Sequence, residues 1–183
     1  MKRYVISDLH LGHQGILKHR TKFNSLIDME MFIVNNWNSI VNDEDKVYIL
    51  GDVAFNKKSL SLLLLMKGKK ILIKGNHDTL PLKEYAKYFK NIEGAKEYKG
   101  CILTHVPVHE CQLNRFKLNI HGHMHEKKVM TRVFDFEHDY DEHDMDTFKP
   151  ILWGIDDKRY ISVCCEQVNY TPVLLDDLIG KNL

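Results

Sequence analysis

RYVISDLH, residues 3–10, is a short apolar run that stops at an aspartate and continues to a histidine two residues later. The same design recurs in KVYILGD at residues 46–52 and in KILIKGNHD at residues 70–78. Runs rich in β-branched and aromatic residues that end in Gly, Asp or Asn are typical of β-strands. Each predicted strand is therefore followed at once by polar side chains, and these strand ends decide the fold.

Helical patterns separate the first strands. Apolar residues recur at helical spacing within residues 29–41, with Ser25 or Asp28 as the predicted cap, and further helices are predicted over residues 58–67 and 80–89. Later strands are predicted over residues 92–98, 101–104, 117–120 and 159–164. Strands that alternate with helices and then dominate favour an α/β (α+β) class with helices packed outside a mixed sheet. We predict a single domain over residues 1–183.

The strand ends carry candidate metal ligands. Carboxyl ends of parallel strands line one edge of a sheet, which is where ligands bind. Five such ends supply seven candidates: Asp8, His10, Asp52, Asn76, His105, His123 and His125. In an extended chain residues i and i+2 point the same way. Asp8 and His10 are therefore predicted to face one cation together, and so are His123 and His125.

Seven ligands exceed the four of a tetrahedral zinc site and predict two divalent cations. Asp8 and Asp52 are the two anionic ligands of the set, so the loaded site keeps a positive charge that attracts a phosphoester anion. The bridging role falls to Asp52, because a carboxylate has two oxygens to share. Two cations about 3.5–4 Å apart lower the pKa of water and clamp the oxygens of an in-line displacement. His77, next to Asn76, points away from it and is free to face the substrate.

The blocks DLH, GD, GNHD, TH and GHMH, between residues 8 and 125, resemble the five-block signature of calcineurin-like metallophosphoesterases. Within that family, DLHLGH at residues 8–13 and VCCEQVNYTPVLLDDL at residues 163–178 are most similar to short bacterial and phage members. The resemblance implies a four-layer αββα sandwich with two mixed β-sheets and with the metals at the strand tips. It divides the ligands into Asp8, His10 and His125 for one metal, Asn76, His105 and His123 for the other, and Asp52 between them.

The resemblance also implies catalytic roles for two residues of the GNHD block. His77 would protonate the leaving oxygen or stabilise the transferring phosphoryl group, and Asp78 would orient the His77 imidazole. Asp78 has an alternative role as the cap of the helix that follows.

The predicted function is that of a phosphodiesterase acting on a small nucleotide or cyclic nucleotide, in which hydroxide held by the metals attacks phosphorus and His77 is the general acid. Manganese is favoured by resemblance, and iron, nickel, zinc or magnesium would also suit oxygen and imidazole ligands. The alternatives are a nuclease or protein phosphatase of the same family, or a non-catalytic scaffold with this fold. A metal amidohydrolase also uses a His-x-His pair, but a late pair beside an asparagine ligand fits phosphoester chemistry better.

Three further residues are predicted as substrate contacts, with surface or structural roles as their alternatives: His13, Arg20 and His109. The sequence lacks the aromatic and basic stripe of single-strand nucleic-acid binders. A small phosphoester, and not a long nucleic acid, is therefore the predicted partner.

Charge is unevenly distributed along the chain. Residues 1–130 hold 21 Lys and Arg against 13 Asp and Glu, whereas residues 131–183 hold 5 against 12. The basic part would attract a phosphate-bearing ligand. The alternative is that both parts are simply solvated surfaces. Residues 133–148 hold seven acidic residues, His138, His143 and no Lys or Arg, which predicts a loop, a flap or a disordered insertion.

The sequence predicts a cytoplasmic protein without a membrane partner. Its longest purely apolar run, residues 62–66, is far shorter than the roughly 20 residues that span a bilayer. An aspartate interrupts the N-terminal run where a secretory signal needs apolar residues. The cysteines form no C-x-x-C pair and are predicted to be reduced core thiols: Cys101, Cys111, Cys164 and Cys165.

Overall fold

The structure is a computed structural model that describes residues 1–134 and 152–183. Within these ranges the α-helices are α1 (Leu26–Ile40), α2 (Lys57–Leu60), α3 (Leu82–Tyr85) and α4 (Leu175–Asn182). The strands are β1 (Arg3–Ile6), β2 (Lys46–Ile49), β3 (Lys69–Ile73), β4 (Asn91–Glu93), β5 (Lys96–Tyr98), β6 (Cys101–Thr104), β7 (Leu118–His121), β8 (Met130–Phe134), β9 (Leu152–Asp156), β10 (Tyr160–Ser162) and β11 (Val173–Leu174). Three 3-10 helices cover Gln14–Lys18, Ser61–Leu65 and Glu110–Asn114.

The first sheet has the strand order β11-β1-β2-β3-β4. Strands β1 to β4 are parallel, and β11 pairs with β1 in the antiparallel sense. The register pairs Ile6 with Ile49 and Ile49 with Leu72, so three consecutive strands end level with one another. The residues that follow these three strands therefore meet at one edge.

The second sheet has the order β10-β7-β6-β5. Strands β10, β7 and β6 are parallel, and the edge strand β5 pairs with β6 in the antiparallel sense. The two sheets are joined where their carboxyl ends meet. Ser7, just after β1, donates its N–H to Val163 O at 2.8 Å and accepts from Cys165 N at 3.0 Å. A separate two-stranded ribbon is formed by β8 and β9.

Strands β1, β2 and β3 of the first sheet each contribute to two hydrophobic cores because successive side chains point to opposite faces. In β1, Tyr4 and Ile6 pack toward the helices, whereas Val5 packs toward the second sheet. The helical core includes Trp37 of α1, and the core between the sheets includes Ile120 of β7. The predicted class, a sandwich of two mixed β-sheets with helices outside, is confirmed.

Helix α1 forms as its sequence predicts. Ser25 is its N-cap, and the Ser25 hydroxyl accepts from Asp28 N–H at 3.1 Å. Met29, Ile33 and Trp37 recur at four-residue spacing, so they lie on one face and are fully buried.

The layer outside the second sheet is thinner than the helical layer outside the first sheet. In the described residues, the connection from β6 to β7 runs along the outward face, and Val108 N donates to the Asn119 side chain of β7 at 2.9 Å. The 3-10 helix Glu110–Asn114 in this connection takes the place of a longer outer helix.

Several predicted elements differ from the structure. The run 92–98 divides into β4 and β5, which belong to different sheets. Two predicted helices are shorter: the region 58–67 forms α2 and a 3-10 helix, and the region 80–89 contains only the four residues of α3. Strands β8, β9 and β11 and helix α4 were not predicted. The three strands are short or weakly apolar and carry little periodic signal. In α4, Leu175, Leu178 and Ile179 do recur at helical spacing, but the helix has only eight residues.

The acidic segment 133–148 lies almost entirely outside the described residues, and only its first two residues are seen, at the end of β8. Three of the cysteines are buried thiols, but Cys111 is exposed, so the prediction of four core thiols is wrong for that residue. Cys111 lies in the 3-10 helix outside the second sheet, which buries none of its residues. Across the two described ranges, none of the helices combines the length and the apolar content that crossing a membrane requires.

Candidate metal centre

Side chains from five strand ends meet above the joined edges of the two sheets. In the described part of the chain they form two groups, Asp8 with His10 and His125, and Asp52 with His105 and His123. Within each group the candidate ligand atoms all lie within 4.8 Å of one another. Imidazole nitrogens and carboxylate oxygens at this spacing could each hold a divalent metal ion.

Asp52 lies between the two groups. Its Oδ2 is 3.8 Å from His10 Nε2 in one group, and its Oδ1 is 3.4 Å from His105 Nε2 in the other. A carboxylate with one oxygen toward each group is placed to bridge two cations.

Asn76 joins the second group through its side-chain oxygen, which is 2.8 Å from His105 Nε2. On the other side of the His105 ring, Nδ1 is 2.7 Å from the carbonyl oxygen of Leu50. That carbonyl can only accept, so Nδ1 carries the hydrogen and Nε2 of the neutral ring has a free lone pair. The lone pair faces the oxygens of Asn76 and Asp52, and a cation among these three atoms would satisfy all of them.

Two buried atoms of the first group are without hydrogen-bond partners among residues 1–134 and 152–183: Asp8 Oδ1 and His10 Nε2. They lie 3.7 Å apart. Burial would raise the pKa of Asp8, but the His10 imidazole and the Ser7 hydroxyl outweigh it and hold that pKa well below its usual range. An ionised, buried oxygen beside an unpaired imidazole nitrogen is the chemistry of a cation site.

His123, in the second group, is also suited to bind metal. Burial, and then the neighbouring His105, lower the pKa of His123. The neutral imidazole is the form that coordinates a cation.

The backbone is strained at five of the seven predicted ligands. Asp8, His10, Asp52, His123 and His125 have φ values of 58°, 52°, 54°, 68° and 50°. Left-handed backbone costs a residue other than glycine about 1–3 kcal/mol and clusters at functional sites. The prediction that His123 and His125 face one cation is therefore wrong, because it assumed extended chain. His123 joins one group and His125 the other. Asp8 and His10 also have left-handed backbone but remain together, so spacing alone does not decide the grouping.

Arg20 lies beneath the first group and not at its open face. It is 2% exposed, and its guanidinium donates to Asp8 O at 2.6 Å and to Leu9 O at 3.1 Å. A third donor, Nε, contacts Glu166 Oε1 at 2.8 Å. Arg20 therefore holds the backbone of the turn that presents Asp8, in place of the predicted contact with substrate.

Glu166 connects Arg20 to a ligand. The same oxygen, Oε1, lies 3.0 Å from His125 Nδ1, which leaves His125 Nε2 free on the side of Asp8. Burial would raise the pKa of Glu166, but His125 and Arg20 outweigh it and lower the pKa to about 2. The hydrogen bond to Glu166 raises the pKa of His125. A carboxylate on the far nitrogen of a ligand imidazole fixes its orientation and increases its basicity.

Asp78 has a different role from the predicted orientation of His77. It is fully buried, and its two oxygens accept from three backbone N–H groups, those of Asp52 at 3.0 Å, Val53 at 2.9 Å and Gly75 at 2.8 Å. Burial is the largest influence on Asp78 and raises its pKa. Asp78 therefore joins the turn that presents Asp52 to the turn that presents Asn76.

These two turns approach so closely that they require glycine. Gly51 has φ +83°, and a Cβ there would lie 2.6 Å from Gly75 Cα and 2.6 Å from His105 Nδ1. A side chain at this position would therefore displace either a ligand histidine or the neighbouring turn.

His77 and His13 lie at the rim. His77 is exposed, and its backbone N–H donates to Asp52 Oδ1 at 2.9 Å. The His13 Nδ1 is 3.4 Å from His10 Nδ1, and the His13 ring stacks on Phe55 with 4.0 Å between centroids. His109, the third predicted substrate contact, is exposed, and its ring accepts from Cys111 N–H at the start of a 3-10 helix.

Sequence reasoning missed Glu166, Phe55 and the clamping contacts of Arg20. Glu166 follows a predicted strand, residues 159–164, so the rule that found the ligands could also have found it. Two of the partners of Arg20 are backbone carbonyl oxygens, which a pattern of side chains does not reveal.

Fold and site together define a two-sheet α/β protein with two adjacent groups of candidate metal ligands. An uncharacterized protein of Methanocaldococcus jannaschii, MJ1445, is 32% identical over an alignment that covers 97% of this chain and 89% of that protein. The chain belongs to the family of this archaeal protein. No family model matches the sequence.

Solved structures are also similar. The protein of unknown function AQ665 from Aquifex aeolicus matches with a TM-score of 0.68 and 24% identity over 100% of this chain and 99% of that chain. The two proteins share a fold. A metallophosphoesterase from Sphaerobacter thermophilus matches more weakly, with a TM-score of 0.35 and 14% identity over 73% of this chain and 63% of that chain.

Proposed function

We propose that this protein is a metal-dependent phosphoester hydrolase of the metallophosphoesterase type. The observation that carries the proposal is the pair of ligand groups with Asp52 between them. The order of the sequence blocks that supply these residues supports it independently.

The residues present fit two divalent cations, of which manganese is our first choice. Asp8, His10 and His125 would hold one, Asn76, His105 and His123 the other, and Asp52 would be shared. Bound there, two such cations act as Lewis acids toward phosphoryl oxygens and lower the pKa of water. Because the set has only two carboxylates, it does not neutralise four positive charges, and the site favours an anionic substrate.

The exposed imidazole of His77 supplies the proton that the reaction needs. As the water oxygen forms its bond to phosphorus and loses a proton to solvent, the bond from phosphorus to the leaving oxygen breaks. Protonated His77 donates to that oxygen, becomes neutral and recovers a proton from solvent. General acid catalysis of this kind is typically worth about 10²–10⁴-fold.

The substrate we propose is a phosphodiester of a small nucleotide or a cyclic nucleotide. A diester carries a single negative charge, which matches a site of small positive charge. Short oligonucleotides and phosphoproteins are the competing substrates.

Metal-stripped protein reloaded with single cations tests the proposal. Its turnover should be compared on a diester, a monoester, 2′,3′- and 3′,5′-cyclic nucleotides, short oligonucleotides and a phosphopeptide. We expect diester turnover with two bound cations per chain. A protein that binds at most one cation in metal excess, or that hydrolyses none of these esters, contradicts the proposal and favours a scaffold.

Asp52→Asn tests the shared ligand. An amide has one oxygen for coordination where a carboxylate has two, so we expect the variant to retain about one cation per chain and to lose turnover. Metal analysis of the purified protein measures this. Asp43→Asn, at an exposed aspartate, is the control and should retain both cations.

His77→Ala tests the proton donor. The variant should retain both cations and lose about 10²–10⁴-fold in kcat on an ester with an alkoxide leaving group. It should lose little on a p-nitrophenyl ester, whose leaving group needs no proton. His19→Ala, at another exposed histidine, is the control. An equal loss on both esters would assign His77 to stabilising the phosphoryl group instead.

A further inference from the structure

The imidazole of His77 needs an orienting contact, and its neighbour Asp78 does not supply one. Both oxygens of Asp78 are occupied by backbone N–H groups beneath the site. A histidine on an exposed turn has free rotation about two side-chain bonds, and a proton donor is effective only when its nitrogen faces the leaving oxygen.

The structure places an aromatic ring against His77. Phe55 and His77 are stacked, with 5.3 Å between ring centroids and an interplanar angle of 26°. His10 is also near, at 5.9 Å between centroids, but its ring is tilted by 56° and belongs to the ligand set. Phe55 therefore provides the flat surface that restricts the His77 ring.

Phe55 is itself firmly held. Its N–H donates to Leu11 O at 2.9 Å, and the residue before it, Ala54, forms a parallel bridge with Leu11. The ring is half-buried and is stacked by His13 with an interplanar angle of 16°. Phe55 is thus braced by the segment that follows β1 and contacts the turn that follows β3.

We propose that Phe55 is the positioning residue for His77, and that its ring keeps the imidazole directed at the leaving oxygen. This inference rests on the proposed function, since it assigns a partner to the proposed proton donor. The stack of His13, Phe55 and His77 links the segment that follows β1 to the turn that follows β3.

Phe55→Leu removes the flat ring and keeps an apolar side chain. We expect kcat on an ester with an alkoxide leaving group to fall on the order of 10-fold, because the imidazole is present but less often oriented. The loss on a p-nitrophenyl ester, KM and the metal content should change little. Phe55→Tyr keeps the ring and should retain most of the turnover.

Two comparisons separate positioning from a general structural role. In the His77→Ala background, Phe55→Leu should have no further effect, because there is no imidazole left to orient. In metal-free protein, the Phe55 ring current should shift the His77 ring proton in the NMR spectrum, and Phe55→Leu should remove that shift. Phe32→Leu, at a half-buried phenylalanine that packs with Phe23 and Tyr170, should leave it unchanged.

Three results would overturn the inference. These are unchanged turnover in Phe55→Leu, an equal loss on both esters, and a full loss that persists in the His77→Ala background. A loss restricted to substrates with an aromatic leaving group would show instead that Phe55 stacks on substrate. If His77→Ala itself leaves the alkoxide ester unaffected, both the proton-donor role and this inference fail, whereas metal binding and hydrolysis are judged separately.

Discussion

The Asp8 turn (residues 7–10) and the Asp52 turn (residues 51–53) present the two carboxylates of the centre in nearly the same strained backbone conformation, with φ values of 58° and 54°. They are held in opposite ways. The Asp8 turn is held by its carbonyl oxygens, which accept from the Arg20 guanidinium. The Asp52 turn is held by its N–H groups, which donate to the Asp78 carboxylate.

The difference follows from which backbone groups each turn directs inward. A left-handed residue interrupts the ladder of its strand, so some polar groups at the turn lose their regular partners. A buried ion of the matching sign replaces those partners, with a cation for carbonyls and an anion for amides. Arg20 also contacts Glu166 and through it His125, whereas Asp78 accepts from three backbone N–H groups. The Asp8 turn is thus coupled to the orientation of an imidazole, and the Asp52 turn is not.

The largest effect is expected at the Asp52 turn. Asp78→Ala leaves three buried N–H groups without acceptors, each worth about 1–3 kcal/mol. We expect the free energy of unfolding of metal-free protein to fall by about 4 kcal/mol in urea titrations, toward the lower end of the range that three such groups imply. Asp43→Ala, at an exposed aspartate, is the control. An equal loss of stability in both variants would contradict the role of Asp78 in holding the Asp52 turn.

At the Asp8 turn, Arg20→Met should lower the free energy of unfolding by about 3 kcal/mol, because it leaves the Glu166 carboxylate buried without its cation. Arg115→Met, whose side chain is 76% exposed, should change it little. Replacing both charges, as in Arg20→Met with Glu166→Met, should be less destabilising than the sum of the single changes. Simple additivity would mean that the two residues do not act as a unit.

The coupling to His125 predicts a smaller and more selective effect. Glu166→Gln should weaken one of the two manganese-binding steps by about 10-fold, the lower end of what such supporting contacts contribute. Calorimetric titration of metal-free protein separates the steps, and His125→Ala should affect the same one. Glu126→Gln, at an exposed glutamate one residue from His125, is the matched control. Equal weakening of both steps would contradict the asymmetry between the turns.

The parts of this molecule that sequence predicts well are those with a local signal. The strands β1, β2 and β3 are dense apolar runs, and each ligand that follows them is a polar residue at a strand end. The buried charged residues that hold the two turns, Arg20 with Glu166 and Asp78, have no such signal. Arg20 and Glu166 are 146 residues apart, and a left-handed φ at an aspartate or histidine depends on tertiary contacts. Spacing alone therefore paired His123 with His125, although they join different groups.

The backbone bridge from Ser7 to Val163, just after β10, has a consequence for how the centre forms during synthesis. All seven candidate ligands have left the ribosome once residue 125 has emerged, yet Ser7 still awaits Val163 and Cys165, and His125 still awaits Glu166. Contacts between such distant residues form late, because a long chain must first be closed into a loop. A nascent chain thus carries a complete set of ligands before it can assemble them, and full affinity for metal should arise only when the last fifth of the protein docks.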